Sequence, residues 1–315
     1  MGKTSFGQKK ENRYFLMQDS TKVKVTSQSI PAREEIPYQD RTEPQIPNLN
    51  GTGNYGQPDN SEFKNSTFPT NIVPLPSKGL LYTHDDPLRQ GYVEVKFMTA
   101  KEENILTTES YIKSGIVIDK FLQSMVVSPK FNHDNLLIGD KDALIVASRV
   151  YGYGEIYSVE LTAPSGRKQK VDVNLEELPH KVLDESLFQS GLNSFRYSFD
   201  NRVGHFDIDF KLLTVGDQKE IDSKLKKYKT AGNADTQITT RLQQMILAVN
   251  GNSDPQYIKL FVENEFLAPN SRAFREYVAS IQPGVNMEIE LIDEETGDSF
   301  RHQISIGPNF FWPDL

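Results

Sequence analysis

From about residue 90 onward the chain writes one series of elements twice, and that repetition constrains its fold more than any other feature. In the first series Val93, Val95 and Phe97 alternate with Tyr92, Glu94 and Lys96, the period of a half-buried strand. Thr99 and Glu102 then have the spacing of a capping box, in which each side chain satisfies a free amide of the first helical turn. Ile118, Phe121, Leu122 and Met125 come next at helical spacing, as do Ala143, Ala147 and Val150. Tyr157, Val159 and Leu161 alternate, turn at Ala163-Pro164-Ser165-Gly166, and return through Val171 and Val173 as a hairpin.

The second series repeats that order. Phe206, Ile208, Phe210 and Leu212 alternate, and Thr214-Val215-Gly216-Asp217 offers a weaker cap in the place of Thr99 to Glu102. Helical spacing runs from Ile238 through Leu242, Met245 and Ile246 to Val249, stopped by Asn250-Gly251. Asp254-Pro255 is an N-cap with proline at the first helical position, succeeded by Ile258, Phe261 and Val262; Phe274, Tyr277, Val278 and Ile281 make a further helix. Met287, Ile289 and Leu291 then turn near Glu294 to Gly297 and return through Phe300, His302, Ile304 and Ile306. The expectation is an α+β fold of two related lobes, residues 76–200 and 201–315, each a strand, a capped helix, helices and a β-hairpin; a coincidence of common elements is the competing reading.

Residues 1–75 have a different composition. Seven of the 17 prolines fall there, from Pro31 to Pro74, with an eighth, Pro76, at its edge, amid Asn, Gln, Ser and Gly, and such a stretch buries too little apolar surface to offset its ordering entropy alone. We read it as a long extended N-terminal arm. Its apolar residues, among them Tyr14, Phe15, Tyr38, Tyr55, Phe63 and Phe68, are too widely spaced for one core and suit docking points on a partner surface; a solvated tail is the competing reading.

The balance of charge is −8 with a pI near 5.3, which argues against nucleic acid, since phosphate binding rests on clustered basic groups. The chain has no cysteine, excluding disulfides and thiolate zinc sites. It shows neither an apolar leader after Met1 nor a run of about 18 apolar residues, so no membrane is expected and synthesis is expected in the cytoplasm.

Catalysis needs convergent groups, and the sequence offers none that stand out. His84, His133, His180, His205 and His302 lack metal-ligand spacing and read as surface histidines; Gly2-Lys3-Thr4 lacks the glycine-rich lead of a phosphate loop; Gly152-Tyr153-Gly154 reads as a helix end. Asp207 and Asp209 share one face of a strand and could serve a metal-dependent hydrolase, although a solvated face makes the same pattern. No catalytic, cofactor or metal residue is assigned. Phe310, Phe311 and Trp312 either cap the second lobe or insert into a partner, where aromatic anchors dominate interface energies.

A set of short motifs occurs in fixed order: Pro76-Ser77-Lys78-Gly79-Leu80-Leu81-Tyr82, Met98-Thr99-Ala100-Lys101-Glu102-Glu103, Leu136-Leu137-Ile138-Gly139-Asp140, Arg149-Val150-Tyr151-Gly152-Tyr153-Gly154, and the closing Phe310-Phe311-Trp312-Pro313. Over residues 74–315 this series resembles the baseplate hub and hub-assembly proteins of T-even-type contractile-tailed bacteriophages. The resemblance implies a non-enzymatic virion component of the tail baseplate, present in multiple copies in a symmetric assembly and bound to other tail or baseplate proteins. A transient assembly chaperone is the alternative within that family. It also implies paired cysteines at two hairpin turns, as in a zinc knuckle; the matching turns here, Ala163 to Gly166 and Asp293 to Thr296, have none and are expected to hold by packing and turn chemistry.

Overall fold

The computed structural model describes residues 70–128, 130–230 and 236–311. They form a mixed α+β fold with one contiguous core. Strands β1 (Thr70–Pro74) and β2 (Tyr92–Lys96) pair antiparallel with Val73 opposite Val93, and Val73, Val93 and Val95 face inward. Thr70–Pro74 belongs to the stretch assigned above to the arm, yet it is a strand paired with β2, so the boundary at residue 76 falls too late.

The chain then continues through α1 (Ala100–Leu106), α2 (Glu109–Ser114), α3 (Val117–Met125) and the long α4 (Ile138–Tyr153). The hairpin of β3 (Ile156–Thr162) and β4 (Lys168–Asn174) comes next. Strands β5 (Phe195–Asp200) and β6 (His205–Phe210) form a second hairpin, with Phe199 opposite Phe206. A lobe boundary at residue 200 would cut this hairpin, so β5 belongs with β6. Helices α5 (Val215–Thr230) and α6 (Gln237–Met245) lead to β7 (Ile246–Val249), the third strand of the sheet, next to β6. Helices α7 (Pro255–Asn264) and α8 (Ala268–Ile281) and the hairpin of β8 (Glu288–Ile292) and β9 (Ser299–Gln303) complete the order.

The expected caps form. Asp254 accepts from the Gln256 amide at 3.2 Å with Pro255 in the first turn, and Gly154 closes α4 at φ 86°, the left-handed region open to glycine. One expected helix is wrong in part: the run to Val249 is helical only as far as Met245. Ile246–Val249 leaves the helix because β6 offers a ladder on which Ile246 and Val249 are both buried, and β-branched residues fit that pleated surface.

The closing Phe310-Phe311 does not cap the second lobe. Phe311 meets Phe121 of α3 edge-on at 4.8 Å between centroids, and Phe310 lies 5.1 Å from Tyr157 of β3. Both rings are 1% exposed, so neither is available to a partner.

Candidate functional site

The first four of the five motifs singled out in the sequence meet as two interlocked pairs. Asp140, fully buried in the first turn of α4, accepts from the Ser77 amide at 2.9 Å, the Ser77 hydroxyl at 2.6 Å and the Tyr82 hydroxyl at 2.5 Å. The Leu137 amide in turn donates to the Tyr82 oxygen at 3.0 Å. Burial raises the Asp140 carboxyl above its ordinary range against those three donors, and burial with the adjacent Asp140 charge pushes the Tyr82 phenol well up. The loop geometry that presents Ser77 depends on Gly79 at φ 74°, where a Cβ would lie 2.4 Å from the Arg89 carbonyl oxygen. In the second pair, the Met98 methyl fills the space over Gly152, and the Tyr153 hydroxyl donates to Glu103 at 3.0 Å. Arg149 donates to the Gly154 carbonyl at 3.0 Å and lies over the Tyr153 ring.

A second arrangement occurs twice. Glu102, 0% exposed, accepts from the Thr99 amide (3.0 Å) and hydroxyl (2.6 Å), from Lys96 (2.7 Å) and from Ser124 on α3 (2.6 Å). Asp217 accepts from the Thr214 amide (3.0 Å) and hydroxyl (3.1 Å), from Lys211 (2.6 Å) and from Gln244 on α6 (3.0 Å). In each case a lysine stands at the end of a strand, Lys96 as the last residue of β2 and Lys211 just after β6, with a threonine three residues on and the acid three further. Each acid thereby ties its strand end and helix start to a later helix. Burial alone would raise the Glu102 carboxyl, but the Lys96, Ser124 and Thr99 donors outweigh it and hold it at about 2, against an ordinary 4.5.

Because the folded state holds Glu102 ionised more firmly than the unfolded chain does, its contribution is complete above about pH 4.5 and is lost as the pH falls toward 2. The melting temperature of the native chain should therefore drop across that window. Glu102→Gln should cost about 2 kcal/mol at neutral pH through the lost charge-assisted bonds and flatten the profile, as read by circular dichroism melts between about pH 2 and pH 7. Parallel profiles for the two proteins would show that Glu102 has no such role.

Asp207 and Asp209 do share an exposed strand face, but their neighbours engage them. Arg196 forks onto Asp209 at 2.8 and 3.1 Å, and Asp207 accepts from Ser198 at 2.6 Å with His205 3.3 Å away. His133 departs from the surface reading: it is 4% exposed, neither ring nitrogen has a hydrogen-bond partner, and Asp119 and Asp134 stand 3.7 and 3.8 Å from opposite sides of the ring. Burial depresses its pKa to about 4. The oxygens that face the ring are taken by lysines, Asp119 by Lys141 (2.7 Å) and Asp134 by Lys219 (2.6 Å), with Lys219 also 3.5 Å from Asp119, and among the described residues no group of His, Asp and Glu could hold a metal ion.

The two hairpin turns that the resemblance matches to a knuckle lie together. Asp293, 1% exposed, accepts from the Ser165 amide at 2.9 Å and its hydroxyl at 3.0 Å, and Gln169 donates to the Ile292 carbonyl at 3.0 Å. Burial would raise the Asp293 carboxyl, but the Glu295 and Ser165 amides and the Ser165 hydroxyl draw it below its ordinary value.

On the surface, a cavity of about 310 Å³ opens between α6 and α8. Leu213, Leu242 and Val278 form its floor, Ile238 stands 52% exposed in its wall, and Arg241 and Arg275 flank it. The partner-binding candidates Tyr14, Phe15, Tyr38, Tyr55, Phe63, Phe68 and Trp312 lie outside the described residues. Among those described, no helix is long and apolar enough to cross a membrane. Compared with known proteins, the chain matches no family model, no curated protein and no solved structure.

Proposed function

We propose that this chain is a non-enzymatic structural component of a contractile phage tail baseplate, at the hub, holding neighbouring tail proteins in register. The observation that carries the proposal is how the motifs of the resemblance are used. Ser77, Tyr82 and Asp140 bond one another, as do Glu103 and Tyr153, so these residues serve a rigid scaffold and not a reactive centre. A scaffold of this kind acts by binding. We further propose that it consists of two related lobes. The support is the spacing shared by Lys96, Thr99 and Glu102 with Lys211, Thr214 and Asp217, and the bond each acid makes to a later helix, to Ser124 in one case and Gln244 in the other. The arm, with Tyr14, Phe15, Tyr55, Phe63 and Phe68, supplies contacts to the neighbours.

Mass spectrometry of purified phage particles tests this. The chain is expected in the mature particle at a fixed copy number matching the symmetry of its ring. Its presence in assembling lysate and absence from finished particles would replace the subunit with a transient assembly chaperone. Metal-dependent turnover of a phosphate ester or a glycoside that is lost in Asp207→Asn would instead make it a hydrolase.

A further inference from the structure

We propose that the groove between α6 and α8 is the seat of the chain's own segment Glu34-Glu35-Ile36-Pro37-Tyr38-Gln39-Asp40. The groove is apolar at its floor and wall and basic at its rim. Arg241 donates to Gln218 at 2.8 Å and Arg275 to the Ser271 carbonyl at 3.3 Å, and neither guanidinium has a carboxylate partner among the described residues. An apolar slot of about 310 Å³ between two such cations fits an aliphatic and an aromatic side chain flanked by acids.

Among the apolar stretches of residues 1–69, one has the most acidic flanks. Ile36 and Tyr38 stand between Glu34-Glu35 and Asp40, with Glu43 beyond, whereas the preceding stretch is basic, with Lys3, Lys9, Lys10, Arg13, Lys22, Lys24 and Arg33 against Glu11 and Asp19. Bound in extended form, Ile36 and Tyr38 would present both side chains to one side, and a proline between them lowers the entropy lost on binding. Residues 41–69 connect the segment to β1 and span up to about 100 Å when extended, so the groove is within reach. As a tether, they hold the segment at an effective concentration on the order of millimolar, which favours the segment of the same chain over that of a second copy. The proposal stands on the groove and the arm's charge pattern alone and is independent of the tail-subunit reading.

Because the chain has no cysteine, engineered pairs in the full-length protein report the contact cleanly. Pro37→Cys keeps Ile36, Tyr38 and every acid, and Ala279→Cys places a thiol at the lip of the groove. Under mild oxidation this pair should close into an intramolecular disulfide about ten-fold faster than the control pair Asn50→Cys with Ala279→Cys, although the control thiol is nearer along the chain to β1. Reversing the rim, Arg241→Glu with Arg275→Glu, should remove that advantage, and adding Glu34→Arg with Glu35→Arg should restore it. Circular dichroism melts confirm that each variant is folded. Equal rates for the two pairs, or a disulfide that joins only separate chains, would overturn the assignment.

Discussion

Gly139→Ala is expected to cost at least about 3 kcal/mol and to lower the melting temperature by roughly 10 °C. A Cβ at this position would lie 1.7 Å from the Pro283 carbonyl oxygen and 2.7 Å from its carbon. Neither side can yield cheaply. Gly139 sits in the first turn of α4, one residue before Asp140, whose three bonds fix Ser77 and Tyr82. Leu136 and Ile138 are bonded across to Val215 and Leu213 by backbone hydrogen bonds of 2.8 and 3.3 Å. On the other side, the Gly284 carbonyl accepts from the Lys181 amide at 2.8 Å. Displacing either segment would strain several of these bonds at once, which is why the cost should reach the upper end of the overpacking range. Gly152→Ala is the informative control. Its Cβ would lie 2.0 Å from the Met98 methyl, yet that is the tip of a flexible side chain that can turn aside, so the loss should stay below about 1.5 kcal/mol. Equal losses in the two variants, read by thermal and urea unfolding, would show that the Pro283 approach is not the constraint described.

The parts of this fold that sequence periodicity reveals are those whose determinants are local. Helices α3, α4, α7 and α8 each carry apolar residues at helical spacing, with Gly154 closing α4 and Asp254 opening α7. Hairpins β3–β4 and β8–β9 alternate cleanly about polar turns. Strand β1 is hidden because it lies among prolines and its partner, β2, is some twenty residues away. Strand β5 is legible, since Phe195, Tyr197 and Phe199 alternate, yet the expected second series begins only at Phe206 and leaves it out. Helix α5 shows only its start, in the cap at Thr214 to Asp217, because only Val215, Asp217 and Ile221 are buried along its length and its amphipathic stripe is too thin to register. The switch at Ile246 is a tertiary override: the sheet partner decides, and helical spacing carries no trace of it.

The same distinction governs the candidate sites. Thr99 and Glu102 read as a cap, and a cap forms, but Lys96 and Ser124 as further partners come from a strand end and a helix 22 residues on. The lysine is within reach of sequence reading, because Lys96-x-x-Thr99-x-x-Glu102 and Lys211-x-x-Thr214-x-x-Asp217 share one spacing. Asp140 stands inside one motif while its partners Ser77 and Tyr82 stand inside another, and no periodicity links positions about sixty residues apart. His133 reads as a surface residue because a single histidine in a polar turn has no local mark of burial. The rim arginines of the α6–α8 groove are ordinary helix residues until the two helices are set side by side.

Phe311→Ala should destabilise the protein by about 3–5 kcal/mol, the range for emptying a fully buried phenylalanine site. The ring is 1% exposed and packs edge-on against Phe121, which is itself fully buried on α3, and against Phe310 at 5.9 Å. Phe310 in turn contacts Tyr157. These rings join the last described residues to an early helix and an early strand, so a cavity there loosens a contact that closes the chain over nearly its whole described length. Such a cavity cannot collapse easily, because Leu122, Met125 and Leu144 in the same core are already fully buried and backbone pairing fixes β3. Phe311→Leu keeps most of the volume and should cost about 1–2 kcal/mol; the contrast between leucine and alanine separates a packing role from a surface one. The measurement is urea unfolding read by tyrosine and tryptophan fluorescence, with the slope checked so that a change in midpoint reports stability. If both variants unfolded at the native midpoint while failing to enter baseplates, Phe311 would be a partner contact and its place in the core would be wrong.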